Sequence, residues 1–584
     1  MKYKIKNSTY LIAVSLLICM AGCQKLDREI ITDVNLTQIE YSFTTVSNLL
    51  NAAYAQIPSG FANVGGTMLA ATTDDAEFTS ETSTIQNFNN GNWNAISNPD
   101  NAWGGLFQGI RRVNIFLVST DSIILDRYKY DPSSSQQLVY QNTLSDIKRM
   151  KYEGRFVRAY LYFELIKRYG GVPIFTEAKE LSDVATIERS SLQKCIQFIS
   201  DDCDSAAANL PATYTADLNG ANTNAANLGR ATKGAALALK ARLLLYAASD
   251  LFNMPSLWAA GYAKPELISL PVGDRNARWK AAADAAKAVI DLSIAGYAQF
   301  NNYSTLFRAF NNAEIILTKS EAASNSFEIT NYPIGFDKGQ SGLTPSQNLV
   351  DAYEMKTNGA GIAETGSGYD PLNPYLNRDP RLGFSVVFNN SALSSVAGVT
   401  RAVQLFYGGK DGKPINNASK TGYYLRKYVN ESLNLLTGNT AVHSWILFRL
   451  PEMWLNYAEA LNEYNPGNTD IKIYYDRNRN RPGVLMPGLP ANLNQDLVRQ
   501  KIRTERRIEF AFEDHRPWDV RRWMIAPATL GGILRGTDIA QSGTNFTFTP
   551  TVVETRIFQP KMYLYPIPQS ELNISPKFVQ NPLW

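Results

Sequence analysis

The sequence RFVRAYLYFELIKRYGGVP, residues 155–173, decides how the rest of the chain is read. Between Arg155 and Tyr169, Phe156, Val157, Tyr160, Leu161, Phe163, Leu165 and Ile166 recur at helical spacing. They spread over a stripe wide enough to be buried on more than one side. Gly170-Gly171 and Pro173 end the helix. A helix with so broad an apolar surface requires neighbours on more than one flank.

The chain supplies them on both sides. Upstream, Thr44 to Ile57 carries Val46, Leu49, Leu50 and Tyr54 and is stopped by Pro58-Ser59-Gly60; Trp103 to Val118 carries Leu106, Phe107, Ile110 and Val113. Downstream, Leu192 to Leu210 is closed by Pro211. Ala231 to Ala248 then sets Ala231, Ala235, Ala238 and Ala241 at steps of four, three and three, a small-residue stripe that favours close helix packing. A further helix is expected from Trp279 to Leu292. Between Gln299 and Thr440 the helical signal fades, and Ile315 to Thr318 and Phe384 to Phe388 read as short strands. Helix returns at Leu450 to Tyr464, and a last, densely charged one is expected from about Leu497 to Trp523. The fold class is therefore mainly α: irregular tetratricopeptide-like helix pairs with a long loop-rich region and a few short strands. Pairs that cannot bury their faces alone stack on one another, and the uneven spacing implies insertions between them.

Composition narrows the function. Lys and Arg number 57 against 53 Asp and Glu, a net charge of +4 that offers no field for nucleic acid. Only His443 and His515 are available as imidazole ligands, so no zinc spacing exists and neither metal nor cofactor is expected. There is no Walker-type loop, no G-x-G-x-x-G after a strand and no G-x-S-x-G elbow. The charged helix holds Arg503, Glu505, Arg506, Arg507, Glu509, Glu513, Asp514, Asp519, Arg521 and Arg522. Two of its carboxylates would serve a glycoside hydrolase only with one raised pKa, whereas arginines a few positions away lower carboxylate pKa values. The pattern suits a structural ion-pair network, and the protein is read as no enzyme.

What remains is surface recognition. Phe61 to Asn101 has no sustained period and places Asp74, Asp75 and Trp93 among Gly, Asn, Thr and Ser. Such long loops usually carry function or disorder. Trp93, Trp258, Tyr303, Phe336 and Tyr369 lie in polar irregular stretches, where a ring bordered by polar groups suits the C–H face of a sugar.

The start of the chain gives location. Lys2, Lys4 and Lys6 precede the apolar run Leu11 to Met20, which is too short to span a bilayer and reads as an export signal. Met20-Ala21-Gly22-Cys23 resembles the lipobox of bacterial lipoproteins, with Met20 where leucine is usual; on that resemblance Cys23 is the lipid anchor. Cys195 and Cys203, about 12 Å apart along a helix, are expected to be free buried thiols.

Several stretches together resemble the SusD/RagB-like lipoproteins. Arg155 through Pro173 looks like the family's signature helix, and Gly229-Arg230-Ala231-Thr232-Lys233-Gly234 with Asn456 to Glu463 look like its inner helices. Glu505 through Trp523 looks like its charged helix, and Tyr565 to Asn581-Pro582 like its tail. The resemblance implies a signal peptide at 1–22 and two SusD-like segments, 23–235 and 236–584, packed as one body. It implies a lipid-anchored protein on the cell surface at the outer membrane, binding an oligosaccharide and delivering it to a SusC-like TonB-dependent channel. Asp74, Asp75 and Trp93 are placed like ligand contacts in the family, with Trp258 as a further candidate. Alternatives are peptide binding of the RagB type or a surface glycoside hydrolase.

Overall fold

A computed structural model describes residues 43–121, 123, 125–178, 186–214, 227–396 and 398–584. The export signal and Cys23 lie outside the described residues.

The principal helices, in chain order, are α1 (Phe43–Tyr54), α2 (Trp103–Ser119), α3 (Ser134–Tyr169), α4 (Leu192–Asn209), α5 (Lys233–Ala248), α6 (Arg275–Ile290), α7 (Ser326–Asn331), α8 (Leu450–Tyr464), α9 (Thr469–Arg479), α10 (Gln495–Glu509) and α11 (Arg516–Arg522). Each long helix packs on the next, α1 on α2 through α5 on α6, and α6 then packs on α8, which contacts α9 and α10. This is the stacked-pair array expected from the sequence, interrupted between Ile290 and Leu450. The alanine stripe explains part of it: Ala231, Ala235, Ala238 and Ala241 have no exposed surface, and with no long side chains between them the backbones approach closely. Cys195 and Cys203 are free and buried.

α3 is a single 36-residue helix, far longer than the stretch its apolar pattern marks. Its C-terminus is fixed by Gly170, whose φ of +73° would strain a side-chain-bearing residue, and whose N–H caps the Ile166 carbonyl.

The interrupting segment holds most of the strands. Among the described residues they form two-stranded antiparallel pairs: β1 (Ala76–Phe78) with Leu343–Pro345, β2 (Ile315–Ser320) with β3 (Ser444–Arg449), and the hairpin of Ile533–Ser542 with Asn545–Thr555. Two shorter pairs complete the set. A buried apolar cluster runs from Val46 to Ile567, and a smaller one around Tyr332, Val387 and Tyr424 supports the inserted region.

The charged stretch differs from the single helix expected. It breaks after Glu509, passes through left-handed backbone at Phe512 (φ +63°) and Asp514 (φ +59°), and resumes as α11. The break turns Glu513 toward Arg449 Nε (2.7 Å) and Lys427 Nζ (2.7 Å). Its charges are interior: Glu505 accepts from Arg479 at 2.7 Å, and Glu509 from Arg449 at 2.5 Å and Arg381 at 2.9 Å. Burial pushes the Glu509 carboxyl up, but the Arg449, Arg481 and Arg381 guanidinia outweigh it and hold it well below the carboxylate range. This is the ion-pair network read from the sequence.

Candidate functional site

Four of the expected site residues are inside the protein. Asp74 and Asp75 share one guanidinium: Arg507 lies 2.9 Å from Asp74 and 2.7 Å from Asp75, and Arg516 closes on Asp74 at 2.7 Å. Burial raises the Asp74 carboxyl, and the two arginines more than reverse it, to about 2. The pair clamps the long loop to α10 and α11.

Trp93 is 2% exposed, with ring centroids 4.8 Å from Phe88, 5.2 Å from Tyr565 and 4.8 Å from Trp584. Trp258 is 5% exposed and 5.7 Å from Tyr563. A stacking platform requires a free ring face, and neither indole offers one. Both indoles are packed against rings of distant segments, so sugar contact at Trp93 or Trp258 would need a ring face that this arrangement covers. Tyr303 and Phe336 are buried as well, while Tyr369 is half-buried, with the Arg378 guanidinium 5.5 Å from its ring.

An open aromatic groove lies elsewhere, between the start of the same loop and the segment after β2. Gly60 makes the first wall possible. A Cβ there would sit 2.1 Å from the Trp445 ring, so only glycine lets the chain cross β3 closely and lay Phe61 against Trp445, 5.1 Å between centroids. The second wall follows from strand pairing. β2 and β3 align Ser320 with Ser444, the Glu321 N–H donates to the His443 carbonyl at 2.8 Å, and Ser324 bridges Ala441. That register delivers the short helix α7, whose Phe327 meets Phe61 edge-on at 5.0 Å.

The groove, about 150 Å³, is lined by the half-buried Phe327 ring, Phe61 and Met68 together with Ser324, Ser326, Thr330 and Asn331, with exposed Glu321 at its rim. Its base is rigid. His443 Nε2 lies 2.8 Å from Glu328 Oε1, which also accepts the Asn430 N–H. Asn331 donates to the Phe327 carbonyl and accepts from the Leu343 N–H. The arrangement can hold the apolar face of a ring while hydroxyls and amides meet its polar edge. Neither Phe61 nor Phe327 was among the aromatic candidates taken from the sequence; the signal was Gly60 directly before Phe61.

A reactive centre is hard to find in the charged region. Asp514 is pushed up to about 7 by burial, but it faces a cavity of about 40 Å³, room for waters and not for a sugar ring. Among the described residues no group of His, Cys, Asp and Glu could hold a metal.

Comparison with known proteins agrees with this architecture. The profile of the SusD family matches residues 313–584, and a profile described as "Starch-binding associating with outer membrane" matches residues 32–245. SusD-like protein P25 of Formosa agariphila is 22% identical over 505 residues, 82% of this chain and 78% of that protein. A SusD-like protein of Bacteroides fragilis superposes with a TM-score of 0.74 at 25% identity, over 94% of this chain and 98% of its own. A SusD-like carbohydrate-binding protein of the same species gives 0.71 at 23% identity, over 92% and 99%.

Proposed function

The chain belongs to the SusD family, and from that premise we propose that it is a lipid-anchored surface protein that captures an oligosaccharide in the Phe327 groove and passes it, uncut, to a SusC-like TonB-dependent channel. The observation that carries the reading is the half-buried Phe327 ring in a groove that hydroxyls and an amide also line. The matching profile's description as starch-binding and outer-membrane-associated supports the ligand class and the location. Binding without cleavage fits the charged helix, where Glu505 and Glu509 are held ionised by arginines and cannot donate a proton. A shallow groove covers few ligand atoms, so affinity is modest and release is easy.

Titration calorimetry of the mature chain against a panel of neutral oligosaccharides tests the reading. Phe327→Ala should weaken binding of the panel's best ligand at least tenfold while the circular dichroism spectrum stays that of the folded wild type. Unchanged affinity in that variant would remove the groove from the mechanism.

A further inference from the structure

A second, larger groove opens between the loop at 351–364 and the outer face of α10, about 660 Å³ in volume. That is within the range of small-ligand sites. Four cations and three carboxylates line it: Lys501, Arg503, Arg507 and Arg516 against Asp351, Glu354 and Glu364. The carboxylates are already engaged, Glu354 and Glu364 by Lys501 at 2.7 and 3.8 Å and Asp351 by Arg535 at 3.0 Å. Arg507 and Arg516 are held by Asp74 and Asp75. Arg503 alone among these cations forms no ion pair with the described residues.

Its position is nonetheless fixed. The guanidinium lies 4.8 Å from the Trp523 ring, and Arg522 lies 4.8 Å from the same ring. Trp523 cannot move aside, because it is 4% exposed and its Nε1 donates to Glu459 at 2.7 Å. Arg503 Nε is buried with no acceptor. The nearest carboxylates acting on it, Glu459 and Asp250, are committed to Arg522 and Arg275. Burial, together with the Arg522 and Arg499 charges, lowers the Arg503 pKa. A partly desolvated cation without a counter-ion is costly, and an oxyanion offering two oxygens would relieve the cost through paired N–H···O bonds. Leu493, Leu497 and Ile525 give the groove apolar surface beside that charge.

We propose that this groove is a second carbohydrate site, taking an acidic oligosaccharide whose oxyanion, a uronate carboxylate or a sulfate ester, docks on the Trp523-stacked Arg503. The proposal rests on the glycan-binding reading but uses a different groove.

Affinity electrophoresis of the mature chain through gels containing polygalacturonate, alginate, chondroitin sulfate, carrageenan or neutral starch tests it. At least one acidic polymer should retard the protein. Arg503→Gln should weaken that retardation at least tenfold and Arg503→Lys less, with neutral-polymer binding unchanged. Leu497→Asp, at an exposed rim position, should weaken it too through charge repulsion without disturbing the core. Carboxyl-reduced and desulfated forms of the retarding polymer identify which oxyanion is read. Absence of retardation by every acidic polymer, or retardation indifferent to both Arg503→Gln and Leu497→Asp, overturns the proposal. Phe327→Ala separates the two sites: if it alone abolishes acidic binding, the ligand sits in the first groove and the second site is refuted.

Discussion

Trp93 touches three aromatic rings, one of them Trp584 at the other end of the chain. Trp93→Ala empties that space, and a buried tryptophan truncated to alanine costs about 3–5 kcal/mol. Urea unfolding should show a lower midpoint; a midpoint equal to the wild type would mean the ring is not holding the loop. Glu77 makes the opposite case. It is fully buried in β1, Thr344 donates to one of its oxygens at 3.1 Å and the other has no partner. Burial first, then the Glu554 charge, push its carboxyl up to about 7. Its folded pKa lies above the ordinary 4.5, so the folded state holds its proton more tightly. This contribution to stability is therefore full below about pH 4.5, falls as pH rises toward 7, and stays low above it. Glu77→Gln should be stabilising above pH 7 by roughly 1–3 kcal/mol, since each pKa unit is worth about 1.4 kcal/mol. Melting temperatures at pH 5 and pH 8 check this: the gap between variant and wild type must widen at the higher pH, and an equal gap would refute the assignment. Both side chains illustrate what local sequence conceals. Asp74, Asp75 and Trp93 stand out within their loop, but which way they face is set by Arg507, Arg516 and Trp584, more than 400 positions away.

At the scale of elements, legibility followed the strength of the apolar pattern. α1, α2, α4, α5, α6 and α8 were readable within a few residues, since each buries a regular stripe. The first half of α3 was not: from Ser134 to Gly154 only Ile147, Met150, Glu153 and Gly154 are buried, and a solvated helix leaves little periodicity to read. α9 escaped for a related reason, as its sequence is dominated by Asp, Lys, Arg and Asn. The charged stretch misled the other way: helical spacing persists across residues 510–515, but Glu513 gains two buried cation partners only if the backbone leaves the helix there. The strongest element boundary was Gly170-Gly171, and it is testable. A Cβ on Gly171 would lie 2.1 Å from the Ser190 carbonyl oxygen, while the Gly171 carbonyl accepts from Arg189 Nε at 2.8 Å. Gly171→Ala must push apart the end of α3 and the approach to α4, costing about 1–3 kcal/mol. Differential scanning calorimetry should show a lowered unfolding temperature, and an unchanged one would mean the crossing is looser than drawn.

Over the whole molecule, the helix array runs without interruption across residues 235 and 236, inside α5, and one buried cluster joins residues from Val46 to Ile567. Among the described residues no helix is long and apolar enough to cross a membrane. The proposed attachment is covalent, at Cys23, upstream of every described core residue. Two or more acyl chains, at about 0.8 kcal/mol per buried CH₂, hold a protein of this size at a bilayer where one chain does so marginally. Because the described core begins at Val46, removing the thiol should change location and leave the fold alone. Cys23→Ser should therefore shift the protein from the membrane pellet to the soluble fraction and abolish incorporation of labelled palmitate, with the same circular dichroism melt and the same oligosaccharide affinity as the lipidated chain. Protein that still sediments with membranes after a high-salt wash would require an attachment other than lipid at this cysteine, and loss of affinity would mean that the leader contributes to the grooves it is proposed only to tether.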